Sequence, residues 1–193
     1  MSNKITFEVK NIPYEKINST LCVMGYHTSD KVNKSIDALF NGRLNTAMKV
    51  DSFKGNYNKT IELYGNNNLL KLSVVGLGDK KSFNSDKLRA LAANIIRNAE
   101  SNKISSIAVD SKSFGLNKDH YSQAFAEGLM LGQYSFTQYK SKKTKNVVKK
   151  VQIIGKSNID SLNKGVIVGN GVNYSRDLGN HPANILTPTF LAN

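Results

Sequence analysis

The spacing of apolar residues switches between a period of two and a period of three to four, several times along the chain. That alternation constrains the fold more than any other feature. Ile5, Phe7 and Val9 alternate with polar residues, as a half-buried strand does. Leu21, Cys22, Val23 and Met24 form a short apolar run that reads as a buried strand. Residues 29–40 read as a helix with Val32, Ile36, Leu39 and Phe40 on one face and Ser29 or Asp30 as cap. Residues 59–64 and 69–75 read as consecutive strands, and the polar run Gly65, Asn66, Asn67, Asn68 between them suits a hairpin loop.

The clearest helix follows: Leu88, Leu91, Ala92, Ile95, Ile96 and Ala99 recur at helical spacing, with Ser85 as cap. Residues 106–110 read as a short strand. Residues 119–134 read as a helix with Tyr121, Phe125 and Leu129 inward, where Gly128 and Gly132 permit close approach to another element. Residues 147–154 read as a strand, and 158–178 as a last long helix using Leu162, Val166, Tyr174 and Leu178. Such an order is that of an α/β fold. It predicts a mixed, largely parallel sheet flanked by helices on both faces, followed by a long connector helix. Pattern alone does not choose the strand topology.

Composition narrows the function classes. No apolar run approaches the ~20 residues needed to cross a bilayer as a helix. The first ten residues are broken by charge and lack the apolar core of a signal peptide. A single cysteine, Cys22, cannot form an internal disulfide and fits a reducing, cytoplasmic setting. Lys plus Arg number 27 against 14 Asp plus Glu, a net charge of +13 that attracts polyanions at low salt.

Catalytic chemistry is sparse. His27, His120 and His181 stand far apart and have no companion at metal-ligand spacing. Cys22 sits in an apolar run and reads as inert packing. Gly76, Leu77, Gly78, Asp79, Lys80, Lys81 and Ser82 follow a strand and precede a helix, where a phosphate loop would lie. They lack the further glycines of such loops and read as a tight strand-to-helix turn. Lys140, Lys142, Lys143, Lys145, Lys149 and Lys150 fall in a stretch without acids. If residues 146–151 form a strand edge, several of these ammoniums share one surface, which suits a phosphate backbone, and Tyr134, Phe136 and Tyr139 offer stacking.

The last residues carry a second kind of information. Gly179, left-handed just past the last turn, and Pro182 stop the long helix. Thr187 and Pro188 then suit the N-cap and first position of another helix, whose apolar face begins at Phe190 and Leu191. One helical turn is not stable alone. The expectation is that these residues are the front part of a longer protein.

The run Arg176-Asp177-Leu178-Gly179-Asn180-His181-Pro182-Ala183-Asn184-Ile185-Leu186-Thr187-Pro188 resembles the RDL-x-N-x-P-x-N-x-LTP segment of the leucyl aminopeptidase (cytosol aminopeptidase) family. Val74 to Gly78, Ala126 to Leu129 running to Phe136, and Tyr139 to Lys143 are similar to further family stretches, in the same order. The resemblance implies a macrodomain-like N-terminal domain over 1–156, a connector helix over 157–180 and the truncated start of a catalytic domain at 181–193. It also implies peptide substrates, a homo-hexamer, and two divalent metal ions, Zn2+ or Mn2+, held by ligands outside these residues. No catalytic or metal-binding residue is assigned here. Arg176, Asp177, Asn180 and Asn184 are then candidates for contact with the catalytic domain of the same polypeptide. The alternative is a basic nucleic-acid-binding module, with DNA as partner. A further reading, from the macrodomain likeness, is a pocket of the ADP-ribose type. No membrane partner is expected.

Overall fold

The computed structural model describes residues 5–65, 69–141 and 146–192. Among them, six strands make one sheet: β1 (Thr6–Lys10), β2 (Ser19–His27), β3 (Thr60–Tyr64), β4 (Leu69–Gly78), β5 (Ser106–Asp110) and β6 (Lys150–Ile154). Their order is β1-β6-β5-β2-β4-β3. All neighbours pair in parallel except β3 and β4, which form the expected antiparallel hairpin. The hairpin-loop residues Asn66, Asn67 and Asn68 lie outside the described residues.

Side-chain alternation on β2 explains the two-layered core. Leu21 and Val23 enter one apolar cluster, on the other side from Cys22 and Met24. A strand covered on both faces needs a continuous apolar run, and this run is one. The edge strand β3 buries only Ile61 and Leu63, every second residue.

On the Cys22 face lie α1 (Lys34–Leu39) and α2 (Arg43–Val50), which contribute Ile36, Leu44 and Met48. The predicted helix over 29–40 is thus shorter and is followed by a second, unforeseen one. The Asn33 carboxamide oxygen accepts from the Ser35 and Ile36 amides and starts α1 late. Asn41 at φ 53° and Gly42 at φ 76° then break the chain before α2.

The opposite face carries α3 (Ser85–Ser101), with α5 (Asp119–Gly132) beside it; the single turn α4 (Ser111–Phe114) follows β5. Asn84, not Ser85, caps α3 through the Lys87 amide. A Cβ on Gly128 would lie 2.2 Å from the Arg89 carbonyl oxygen, and one on Gly132 would lie 2.6 Å from the Ala93 Cα. The close approach expected of these glycines is therefore made, against α3.

The last long helix, α6 (Ile159–Asn180), packs on α5 by the same device. A Cβ on Gly165 would meet the Gln123 carbonyl oxygen at 2.3 Å, and one on Gly169 the Met130 Cβ at 2.5 Å. Leu162 is fully buried here, but Tyr174, expected inward, is 64% exposed. Gly179 does not end the helix in a left-handed conformation. The helix runs on to Asn180, and His181, extended at φ −72° and ψ 137° ahead of Pro182, stops it. A short α7 (Pro188–Ala192) follows, and Thr187 Oγ1 accepts from the Phe190 amide as an N-cap should.

The expected strand over 147–154 begins three residues late, because its first amides are taken. The Glu100 carboxylate accepts from the Val147 amide at 2.6 Å, from Val148 at 3.0 Å and from Gln133 Nε2 at 2.8 Å. This carboxylate fixes the entry of β6 into the sheet.

Candidate functional site

The loops that follow the neighbouring parallel strands β2 and β5 leave the sheet toward opposite faces. The first leads to α1 and the second to α4 and α5. Between them opens a crevice of about 510 Å³. Its floor is a polar knot. Ser113 Oγ accepts from the Gly25 amide at 2.8 Å and donates to the Asp110 carbonyl oxygen at 3.0 Å. The Asp110 carboxylate, 5% exposed, accepts from the Tyr14 hydroxyl at 3.1 Å and from the Ser113 amide at 3.2 Å. Burial, reinforced by the neighbouring Asp110 charge, pushes the Tyr14 phenol far above its ordinary range, so it stays a donor.

The wall after β2 is held by Asp30. Its carboxylate accepts from the His27 amide at 2.8 Å and pairs with Lys80 Nζ at 2.6 Å. His27 Nδ1 lies 3.0 Å from the Gly78 carbonyl oxygen, an acceptor, which places the ring proton on that nitrogen. Phe83 stands edge-on between the His27 and Tyr121 rings, at 5.1 and 5.6 Å. Lys31, Lys80, Lys112 and Lys118 stand at the mouth, all exposed. The region read as a tight turn, Gly76 to Ser82, does turn tightly at Gly78, φ 75°. It contributes Lys80 to the crevice, but the Tyr14, Asp110 and Ser113 group went unread. Tyr14 and Asp110 are 96 residues apart, and only the sheet order joins them.

Cys22 is fully buried, and burial pushes its thiol up to about 12. It is not a nucleophile at neutral pH. Among the described residues, no three His, Cys, Asp or Glu side chains come together in a way that could hold a metal ion. The donor set present does not fit a metal centre.

Arg176, Asp177 and Asn180 converge on one side chain, Tyr134. The Tyr134 hydroxyl donates to Asp177 Oδ1 at 2.9 Å and accepts from Asn180 Nδ2 at 3.0 Å. The Arg176 guanidinium stands 5.4 Å from the Tyr134 ring centroid. Asn184 is exposed further along. The other half of this end is apolar and open: Ile167 is 70% exposed and Tyr174 64%, with Val168 and Val172 also outward on α6. Beyond α6, the Tyr139 hydroxyl lies 2.6 Å from His181 Nδ1, and Phe136 and Phe190 meet the His181 ring edge-on. His120 is exposed, and its ring stands edge-on to Tyr121 at 4.3 Å, one ring further along the wall from Phe83 and His27.

The strand edge on which the lysine reading depended is not formed among the described residues. Lys142, Lys143 and Lys145 lie outside the described residues. Strand β6 is not an edge, since it runs between β1 and β5. Lys150 pairs with Glu8 at 2.8 Å, whereas Lys140 and Lys149 are exposed. Among the described residues, no helix is long and apolar enough to cross a membrane.

Comparison with known proteins is specific. The profile of the cytosol aminopeptidase family, N-terminal domain, matches residues 22–143, well over half of the chain. A protein named Probable cytosol aminopeptidase from Sulfurihydrogenibium sp. (strain YO3AOP1) is 37% identical over 162 residues, which are 79% of this chain and 32% of that protein. One of the same name from Acinetobacter baumannii is 30% identical over 184 residues, 93% of this chain and 37% of its own. The chain thus spans about a third of the length of these curated relatives. Among solved structures, a mutant tomato leucine aminopeptidase superposes with a TM-score of 0.84 at 23% identity, covering 98% of this chain and 41% of that one. The bottromycin maturation enzyme BotP in complex with Mn gives 0.70 at 22% identity, covering 90% and 34%.

Proposed function

This chain belongs to the cytosol aminopeptidase family, and we propose that it serves as the N-terminal, non-catalytic domain of a leucyl aminopeptidase that removes N-terminal amino acids from peptides. The observation that carries this is the family match over residues 22–143 by a profile of that N-terminal domain. Hydrolysis by two divalent ions, Zn2+ or Mn2+, belongs in this reading to the remainder of the longer protein. Two such ions would activate a bridging water and polarise the scissile carbonyl. Among the described residues no group of side chains supplies a site for them, and in this reading the reaction's steps belong to the rest of the protein.

What the chain contributes is shape and contact. Residues 1–156 are the domain, 157–180 the connector and 181–193 the first residues of the catalytic domain. The outward face of α6, with Ile167, Val168, Val172 and Tyr174, seats against that catalytic domain. Tyr134, Asp177 and Asn180 hold the end of α6 at the angle this requires. The parent assembles as a homo-hexamer in the cytoplasm. The test is release of leucine from a leucyl chromogenic substrate by the pure 193-residue chain, with Mn2+ or Zn2+ supplied. No release is expected, and metal-dependent release would overturn the assignment.

A further inference from the structure

We infer that Asn41 is a site of spontaneous covalent modification, converted to isoaspartate or aspartate by attack of the Gly42 amide nitrogen on its side chain. The chain holds two Asn-Gly pairs, Asn41-Gly42 and Asn170-Gly171. A glycine on the C-terminal side leaves its amide nitrogen unshielded by a side chain, so both pairs have the chemistry. The fold separates them.

Asn41 and Gly42 are exposed and form the turn between α1 and α2. The turn is closed by two backbone hydrogen bonds. The Asn41 amide donates to the Ala38 carbonyl oxygen at 3.0 Å, and the Gly42 amide donates to the Asp37 carbonyl oxygen at 2.9 Å. Asn41 stands in the left-handed region, which costs an L residue free energy, so a swing to extended backbone relieves strain as it opens these bonds. An exposed turn with so few bonds opens more readily than a helix interior. The reacting group is also free, since the Asn41 carboxamide has no hydrogen-bond partner among the described residues. The carboxamide oxygens of Asn33, Asn84 and Asn158, by contrast, accept from backbone amides at helix starts. Apart from chain neighbours, no heavy atom lies within 4 Å of where a Cβ on Gly42 would stand, so a ring can close there. Gly171 is equally open, but Asn170 lies inside α6, where helical backbone keeps the Gly171 nitrogen from the Asn170 side-chain carbonyl carbon.

The step balances without an oxidant or reductant. The Gly42 nitrogen bonds to the Asn41 side-chain carbonyl carbon and gives up its proton; the bond from that carbon to the carboxamide nitrogen breaks, and ammonia leaves with the proton. Water then opens the five-membered imide. Cleavage at the side-chain carbonyl gives aspartate, and cleavage at the main-chain carbonyl gives isoaspartate. Isoaspartate routes the main chain through the former side chain and adds one carbon to it. The two hydrogen bonds that close the turn then lose their register, and the layer holding Ile36, Phe40, Leu44 and Met48 loosens.

The full 193-residue chain is aged in mildly alkaline buffer, digested with trypsin and probed with an isoaspartyl methyltransferase and a labelled methyl donor. Cleavage after Lys34 and Arg43 isolates Asn41, and cleavage after Lys164 and Arg176 isolates Asn170. Label is expected in peptide 35–43, at least about tenfold faster than in peptide 165–176. Aged in urea, where the helix no longer protects Asn170, the two peptides should label within about threefold of each other. Asn41→Gln, whose longer side chain does not close the five-membered ring, should abolish label in 35–43. The aged parent chain should melt lower than the aged Asn41→Gln chain. The inference is overturned if peptide 35–43 labels no faster than 165–176 in the folded chain, if Asn41→Gln leaves its label unchanged, or if the two aged chains melt alike. The α6 surface plays no part in these outcomes, so the assignment of the domain stands or falls separately.

Discussion

Along its inner face α6 presents Leu162, Gly165, Val166 and Gly169 to α5, whereas along its outer face it presents Ile167, Val168, Val172 and Tyr174 to solvent. Both faces are apolar in composition, yet only the one built on glycine is closed within this chain. In the proposed reading the helix therefore serves two partners. Scattered exposed aliphatics are ordinary on a protein surface. Three on one stretch of helix together with Tyr174, beside the Tyr134 cluster, suit the proposed seat for a second body.

The largest expected effect tests the closed face. Gly165→Val should cost about 3 kcal/mol or more, or prevent folding, because its Cβ would occupy the space of the Gln123 carbonyl oxygen. Urea denaturation measures this; a loss below 1 kcal/mol would break the comparison. Next is the carboxylate that fixes β6. Glu100→Ala leaves the Val147 and Val148 amides and Gln133 without their acceptor, for a loss of about 2 to 3 kcal/mol. Glu100→Gln should recover part of it in the same assay.

Tyr134→Phe removes the hydroxyl shared by Asp177 and Asn180, for about 1 kcal/mol. Burial, then the hydrogen bond to Asp177, raises the Tyr134 phenol above its ordinary 10.0. The folded chain therefore keeps that proton where the unfolded chain has lost it. The stability it contributes is complete below the ordinary value and is lost as pH rises through the raised one. Stability measured from pH 8 to 11 should fall less steeply in the Phe variant than in the parent chain. Smallest is the open face. Ile167→Ser should change the stability of this chain by no more than about 0.5 kcal/mol, against the loss at Gly165 two residues before it on the opposite side of the helix.

The sequence readings succeeded where local pattern decides structure. Residues 106–110 emerged as β5, and the spacing from Leu88 to Ala99 as α3, because burial of one stripe dictates both. They failed where a tertiary contact wins. Tyr174 was placed inward because only large apolar residues were counted on α6. It lies about 120° around the helix from Leu162, whereas Gly165 and Gly169 lie near it. A glycine adds nothing to an apolar count, yet here it marks the contact. Gly179 fell inside α6 for a related reason: its surroundings allow the helical turn to continue until Pro182 forbids it. The short polar α2 was missed because only Leu44 and Met48 mark its buried side. The crevice was illegible, since Tyr14, Asp110 and Ser113 meet through strand order and not through spacing.

The claim that the outer face of α6 is an interdomain surface is tested most directly in a chimera. This chain would replace the matching segment of the Sulfurihydrogenibium relative, which is 37% identical. Leucine release would then be measured with and without Ile167→Asp and Tyr174→Asp together. The account predicts an active chimera that loses at least about tenfold in kcat/KM with the two aspartates, while the same changes leave the melting of the 193-residue chain unaltered. Equal activity from the two chimeras would contradict it.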